Sequence, residues 1–415
     1  MPKGVARMVA LALPSLALAA CTNGASASSV SSPTSTTSTA RVASTPSRPS
    51  SPPALPAGNA VPAGFEPLSF TAVSTTQWWL LGFAPCGPKE CEALVSTTDK
   101  GATFNSVAVP GGAFGPANTQ APALSQVRFA DPEDGWLWGR GGFYATHDGG
   151  ASWTAISLPG VVSALHASAG AVYAVITPPT PACASIGTCV VPTTPGANLW
   201  RADASGNDWR RLPAAGIVSP FFAVRGASIW IMDATFTPDG WALANSRLLH
   251  STDGGATFVT EPQAVPGTFC SYSPVSDAVV WADCAGGHFD FAYLSTDAGA
   301  QFVQVGPKTG TTPYMAPAGS VLDGASPQIA VESYGVPGGS DGGHPLIRTI
   351  DGGANWQAVE PALDSGGAWF MIGFTTPEVG YAFWTTRTSS WAGFRNQLWR
   401  TTDAGATWGP VPIQS

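Results

Sequence analysis

The chain has 415 residues, of which only 11% are charged, and a formal net charge of −8. Four lysines are spread over the whole length. Such a chain offers no basic stripe for a nucleic-acid backbone, so a nucleic-acid partner is excluded.

In chain order, Lys3 and Arg7 come first, followed by an apolar run from Met8 to Ala20. The run is too short to span a membrane as a helix, and residues 1–20 are an export signal. It ends in Leu18-Ala19-Ala20-Cys21, which resembles a bacterial lipobox. The resemblance implies a diacylglyceryl group on Cys21, which becomes the mature N-terminus. It also implies a place on the outer face of the cytoplasmic membrane or cell envelope. A buried or disulfide-bonded Cys21 is the competing reading, and it leaves the small residues before it unexplained. Each acyl chain adds about 0.8 kcal/mol per buried CH₂, so two or three suffice to anchor a protein. Residues 21–60 are dominated by Ser, Thr, Pro and Ala. They cannot bury a core and form a disordered tether with a reach of about 30–40 Å. Its composition would suit O-glycosylation.

From residue 61 to 415 a short motif recurs seven times. Good copies centre on Asp99, Asp148, Asp253, Asp297, Asp351 and Asp403, as in Ser251-Thr252-Asp253-Gly254-Gly255-Ala256-Thr257-Phe258. A degenerate copy at Asp203 carries one inserted residue. The aspartates are 44 to 55 residues apart, a period that means a propeller or a solenoid. The carboxylate can accept backbone N–H groups of its own turn, and the glycine two residues on supplies a positive φ. The closing Trp or Phe starts the next strand and buries apolar surface. Around each copy runs an alternating strand such as Gln126–Phe129, then a second with an aromatic such as Trp136 or Trp230. A third leads into the motif and a fourth leaves it. Blade six has only Ile329-Ala330-Val331 where the aromatic would be. Four strands in each of seven units predict an all-β, seven-bladed β-propeller of four-stranded antiparallel blades. No strand is left over for exchange, so the ring is expected to close by packing of blade one on blade seven.

The motif resembles the Asp box, or BNR repeat, from about Phe65 onward. That repeat occurs in sialidases, sortilin-type receptors, some glucan hydrolases and the photosystem II stability/assembly factor family. The sialidase resemblance implies six blades, an Arg-Ile-Pro signature, an arginine triad, a Tyr–Glu nucleophile pair and an Asp acid/base. Here the blades count seven and the signature is absent. Of eleven arginines in the propeller, Arg128, Arg201, Arg247, Arg348 and Arg400 belong to strands or flank motifs. Arg225, Arg387 and Arg395 are left to reach a common centre. A glycosidase needs two carboxylates across a cleft. Glu332 with Asp239, Asp323 or Asp341 is the conceivable pair, though no spacing demands it. Neither a Ser/His/Asp elbow nor a metal motif is visible. The assembly-factor resemblance implies a scaffold on membrane complexes, although that family's basic patch is missing.

Six further cysteines fall into close pairs, Cys86/Cys91, Cys183/Cys189 and Cys270/Cys284. In an exported protein local disulfides are expected. Zinc is disfavoured, because no pair has C-x₂-C spacing and the histidines do not cluster. Neither metal nor cofactor is therefore expected.

The motifs join strands three and four, so all seven lie on one face. Length variation falls on the other face. From second-strand aromatic to motif Asp, blade two takes 12 residues, blade three 30, blade four 23 and blade seven 22. Function gathers in such connections on a rigid frame. Candidate ligand-binding residues there are Asp239, Trp241, Tyr314, Tyr334, Asp341, His344, Arg387, Trp391 and Arg395. Exposed Trp and Tyr suit sugar rings or peptide anchors, although Trp241 and Trp391 could equally cap the core. The expected function is a monomeric, membrane-anchored scaffold that binds protein or glycan without catalysis. A sialidase-like or glucanase-like hydrolase and a structural envelope spacer are the alternatives.

Overall fold

The architecture grows from one turn. Thr97 Oγ1 donates to Asp99 Oδ1 at 2.7 Å and accepts the Gly101 N–H at 3.1 Å. Asp99 also accepts the Thr103 N–H at 2.9 Å and the Thr103 hydroxyl at 2.6 Å. These bonds satisfy backbone groups that a reversing chain cannot pair in a ladder. The same set recurs at Asp148, Asp253 and Asp403. At Asp351 the Asn355 amide replaces the hydroxyl, and at Asp297 the Gln301 N–H donates. The side-chain bonds from Thr103, Ser152 and Thr257 hold Asp99, Asp148 and Asp253 down to a pKa of about 2. The hub is a residue that sequence reasoning passed over: the hydroxyl two positions before the aspartate, such as Thr97 or Ser295, which is buried.

After each aspartate except Asp203, the next two residues are left-handed, with φ of 67° at Lys100 and 82° at Gly101. The second is glycine for a further reason. A Cβ at Gly353 would stand 2.6 Å from Val305 of the preceding blade, and one at Gly101 would stand 2.6 Å from Trp78. The turn is thus also a contact point between blades. The degenerate copy lacks the hub, since Arg201 stands in its place. Asp203 lies 3.6 Å from Arg201 and is largely exposed, and its carboxylate accepts no hydrogen bond from its own turn among the described residues. Asp99→Ala should therefore lower the melting temperature by several degrees, and Asp203→Ala should leave it unchanged, as thermal denaturation will show.

The computed structural model describes residues 60–110, 113–116, 123–178, 197–217, 222–236, 243–262, 268–285, 289–305, 316–317, 321–333, 346–359, 367–387 and 394–413. Its strands form seven antiparallel sheets, each ordered consecutively from strand one to strand four. The molecule is a seven-bladed β-propeller, with no helix among the described residues. The innermost strands are Glu66–Ala72, Gln126–Phe129, Val161–Ser168, Phe222–Arg225, Cys270–Pro274, Leu322–Gly324 and Gly367–Phe374. Blades one and five carry an added strand, Ala113–Pro116 and Ala316–Pro317, paired to strand three.

Second strands are covered on both faces by neighbouring blades, so they run apolar without alternation. Trp78, Trp136, Trp230 and Trp281 are completely buried there. In blade six Val331 takes the aromatic's place, and Trp369, Trp399 and Trp408 of blade seven fill the space. Indole N–H groups reach across the gaps, from Trp153 to the Ala108 carbonyl and from Trp356 to the Val305 carbonyl, both at 2.9 Å. Innermost strands do not pair with one another, so their edge N–H groups need other partners. Thr71 Oγ1 accepts the Phe129 N–H at 3.2 Å, Ser273 Oγ accepts the Gly324 N–H at 3.0 Å, and Asp323 Oδ2 accepts the Phe374 N–H at 2.8 Å.

Blade seven is completed by its own strands, Gly367–Phe374, Gly380–Arg387, Phe394–Thr401 and Gly409–Pro410. The ring therefore closes by packing. Trp78 and Leu80 of blade one share a core cluster with Tyr381, Phe383, Leu398 and Val411. The Arg400 guanidinium lies 5.5 Å from the Trp78 ring centroid, and Asn396 Nδ2 donates to the Pro67 carbonyl at 3.0 Å. Two of the expected disulfides are present, Cys86–Cys91 and Cys270–Cys284. Cys270 and Cys284 sit directly opposite each other on paired strands. Cys183, Cys189 and Cys21 lie outside the described residues.

Candidate functional site in the central channel

Ala72 pairs with Trp78, and Trp78 pairs with Thr97 beside the first turn. Each innermost strand therefore ends on the face that carries the aspartate turns. Residues near those seven strand ends enclose a chamber of about 420 Å³ on the ring axis. Sequence reasoning directed attention to the opposite face, and the chamber with the perturbed titratable groups lies here instead.

Arg128 of blade two and Asp323 of blade six stand at the same level in this ring. Arg128 pairs with Trp136, one residue inward of the pair Gly135–Thr146. Asp323 pairs with Val331, one residue inward of the pair Ala330–Thr349. Both line the chamber, from well-separated blades of the ring. Asp323 accepts the Ser273 hydroxyl and the Phe374 N–H. Burial outweighs those bonds and pushes its pKa up to about 6. His166 of blade three sits edge-on to Phe222, with ring centroids 4.6 Å apart. Burial, helped by the charge of Arg128, pushes it down to about 3, so it is a neutral imidazole. Arg225 of blade four stands exposed at the mouth and donates to the Pro274 carbonyl at 3.4 Å.

Arg128 differs from the other strand arginines. Arg247 meets Asp233 at 2.7 Å, Arg348 donates to the Ala404 carbonyl at 2.7 Å, and Arg201 lies 5.9 Å from the Tyr173 centroid. Arg128 has no ion pair among the described residues; its buried Nε has no hydrogen-bond partner, a feature it shares with Arg201 and Arg400, which have rings beside them. Burial lowers its pKa, but a guanidinium stays charged. A register signal could have singled it out. The corresponding innermost positions hold Thr71, His166, Ala223, Ser273, Asp323 and Gly373, all smaller than arginine.

The reactive groups of the lining are spread around the ring. Ser273 is bonded directly to Asp323, and His166 lies two blades away, so base and nucleophile are not in a relay. Among the described residues the lining holds a single carboxylate, Asp323, whereas glycoside hydrolysis uses two. Glu332 is buried in the second strand of blade six and does not line the chamber. Among the described residues no group of His, Cys, Asp and Glu could hold a metal ion.

The candidates read from sequence are placed as follows. Arg395 lies on strand three of blade seven, where its Nε is 3.1 Å from Glu66 Oε1 across the ring seam. The backbone of Arg387 ends strand two of that blade, opposite Phe394. Arg225 lies at the other face, away from Arg395. Asp239, Trp241, Tyr314, Tyr334, Asp341, His344 and Trp391 lie outside the described residues. A separate hollow of about 450 Å³ between the turns of blades six and seven is lined by Asp351 and Asn355, which are already bonded to each other.

Comparison with known proteins places the architecture. No family model matches the chain, and no curated protein matches it. It is similar to a solved structure of YCF48 bound to D1 peptide, with 17% identity, covering 85% of this chain and 99% of that one, at a TM-score of 0.50. It is also similar to the acylaminoacyl peptidase of Pyrococcus horikoshii, with 9% identity and a TM-score of 0.54. That match covers 84% of this chain and 52% of the peptidase, so it spans about half of that enzyme. The propeller domain of the Trilobed protease from Pyrococcus furiosus, described as having an open velcro topology, matches at 7% identity and a TM-score of 0.50 over 84% of this chain and 98% of that one. Identities this low carry the fold alone.

Proposed function

We propose that the chain is an exported, lipid-anchored propeller that binds a protein or glycan partner without turning it over. The contact surface is the set of connections opposite the aspartate turns. One observation carries this reading: the turn face of the ring is nearly uniform from blade to blade, and the length variation, with the Trp and Tyr residues it carries in the sequence, falls in the connections between strands two and three or between blades. The repeat, which resembles the Asp box, then counts blades rather than catalytic groups. The turn aspartates other than Asp203 are engaged in their own hydrogen bonds. The YCF48 relative is described with a bound peptide, which supports a protein partner for a ring of this kind. Leu18-Ala19-Ala20-Cys21 supports the anchor, and residues 21–60 supply the reach.

Two measurements test the reading. Cys21→Ser should move the protein from the membrane to the soluble fraction on cell fractionation, and retention on the membrane would remove the anchor. Crosslinking capture by the full-length lipoprotein, together with a glycan array, should give a partner whose recovery falls at least tenfold in Trp241→Ala or Trp391→Ala with the melting curve intact. Turnover of chromogenic glycosides that is abolished by Glu332→Gln or Asp341→Asn would replace the scaffold with a hydrolase.

A further inference from the structure

We infer that the chamber on the turn face is a binding site for a single carboxylate group, received by Arg128 and Arg225. This site is distinct from the partner surface proposed above and lies at the other end of the channel. The cationic arc is made by consecutive blades: Arg128 in blade two, His166 in blade three and Arg225 in blade four. Burying a guanidinium costs free energy unless an anion and hydrogen-bond acceptors compensate it. Arg128, Arg201 and Arg400 each have a buried Nε without a hydrogen bond, but Arg201 lies beside Asp203 and the Tyr173 ring and Arg400 over the Trp78 ring, whereas Arg128 has neither an ion pair nor a ring beneath its guanidinium among the described residues. A planar carboxylate matches the guanidinium fork in geometry as well as in charge.

The remaining wall selects among anions. His166 is neutral, so the arc carries two positive charges and Asp323 opposes them with one negative charge. The balance suits a monoanion and disfavours a phosphate dianion facing Asp323. Phe70, Met371 and Tyr381 also line the chamber and offer apolar surface to a short stem behind the carboxylate. Asp323 and Ser273, on the far arc, can accept an N–H from that stem. A cavity of about 420 Å³ is in the range that takes small ligands. A small organic acid and the end of a peptide chain share this chemistry.

The test uses the full chain in detergent, titrated calorimetrically with N-acetylalanine, N-acetylalanine amide, acetyl-tetraalanine acid and inorganic phosphate. The free acids should bind, and the amide should bind at least tenfold more weakly, as expected for loss of a charged hydrogen bond. Tighter binding of acetyl-tetraalanine than of N-acetylalanine identifies a chain end as the source, and equal binding identifies a small acid. Arg128→Gln should weaken acid binding at least tenfold while the ligand-free protein melts no lower than wild type. Arg225→Gln, at the exposed mouth, provides a second variant that keeps the fold. Equal binding of acid and amide, equal competition by phosphate, unchanged affinity in both arginine variants, or no binding of either acid would each overturn the assignment.

Discussion

Replacing Trp78 by alanine is expected to cost about 3–5 kcal/mol, the range for removing a fully buried indole, and to act at the one place where no covalent link joins neighbouring blades. Trp78 meets Tyr381 with ring centroids 4.9 Å apart, carries the Arg400 guanidinium, and lies against the Gly101 turn. Its indole N–H donates to the Ser74 carbonyl at 3.2 Å. The other six blade boundaries are held by the chain itself as well as by packing. Among the described residues the boundary between blades seven and one is held by packing, the Arg400–Trp78 contact, the Arg395–Glu66 pair and the Asn396 bond. Urea unfolding with limited proteolysis gives the measurement. Trp281→Ala, equally buried between chain-linked blades, is the control. Both variants should lose stability, but only Trp78→Ala should expose cleavage sites in blades one and seven before the rest. A Trp78→Ala midpoint within about 1 kcal/mol of wild type would mean that the seam is held elsewhere.

The second large effect concerns pH. Asp323 titrates near 3.9 in an unfolded chain and at about 6 in the folded one. Its folded pKa is raised, so its contribution is fully present below pH 4 and is lost as pH rises through 6. At about 1.4 kcal/mol per pH unit the loss amounts to at most about 3 kcal/mol. The turn aspartates work in the opposite sense. Their folded pKa values are depressed, so their contribution is present above pH 4 and is lost as pH falls through 2. Together the two sets put maximal stability near pH 4. Asp323→Asn keeps the shape and can still accept the Phe374 N–H and meet Ser273. It should be more stable than wild type by up to about 3 kcal/mol at pH 7.5 and equal to it at pH 4, measured by urea denaturation across pH. Equal stability at both pH values would show that the carboxylate is solvated in the channel.

What sequence reasoning could see follows from which interactions are local. The aspartate, its glycine and the closing aromatic lie within eight residues, so the turns, their number and hence the blades were legible. Two cysteine pairs were legible for the same reason. The buried hydroxyl hub, also local, was missed because Ser and Thr are common and carry no mark of burial. Asp203 shows the limit of counting, since its spacing survives while Arg201 removes the hub. The chamber was hidden because its residues come from innermost strands far apart in sequence, and only the ring's curvature brings Arg128, His166, Arg225 and Asp323 together. Sequence reasoning placed Arg128 in a strand, which is correct, and a strand arginine usually points to a partner in its own sheet or to solvent. The register column that makes it unusual appears only when all seven innermost strands are aligned through their pairing.

Each sheet of the ring is made from one uninterrupted stretch of chain, with blade seven finishing itself and blade one doing the same. The topology therefore has no privileged starting point. Assembly can begin at any blade and spread in both directions, because every unit presents the same kind of flank to the next. For the same reason the molecule could be rewired genetically: joining residue 413 to residue 60 and reopening the chain between any two blades would preserve every hydrogen-bonded ladder. In a propeller whose last sheet borrows a strand from the other end of the chain, most such cuts would leave one sheet divided.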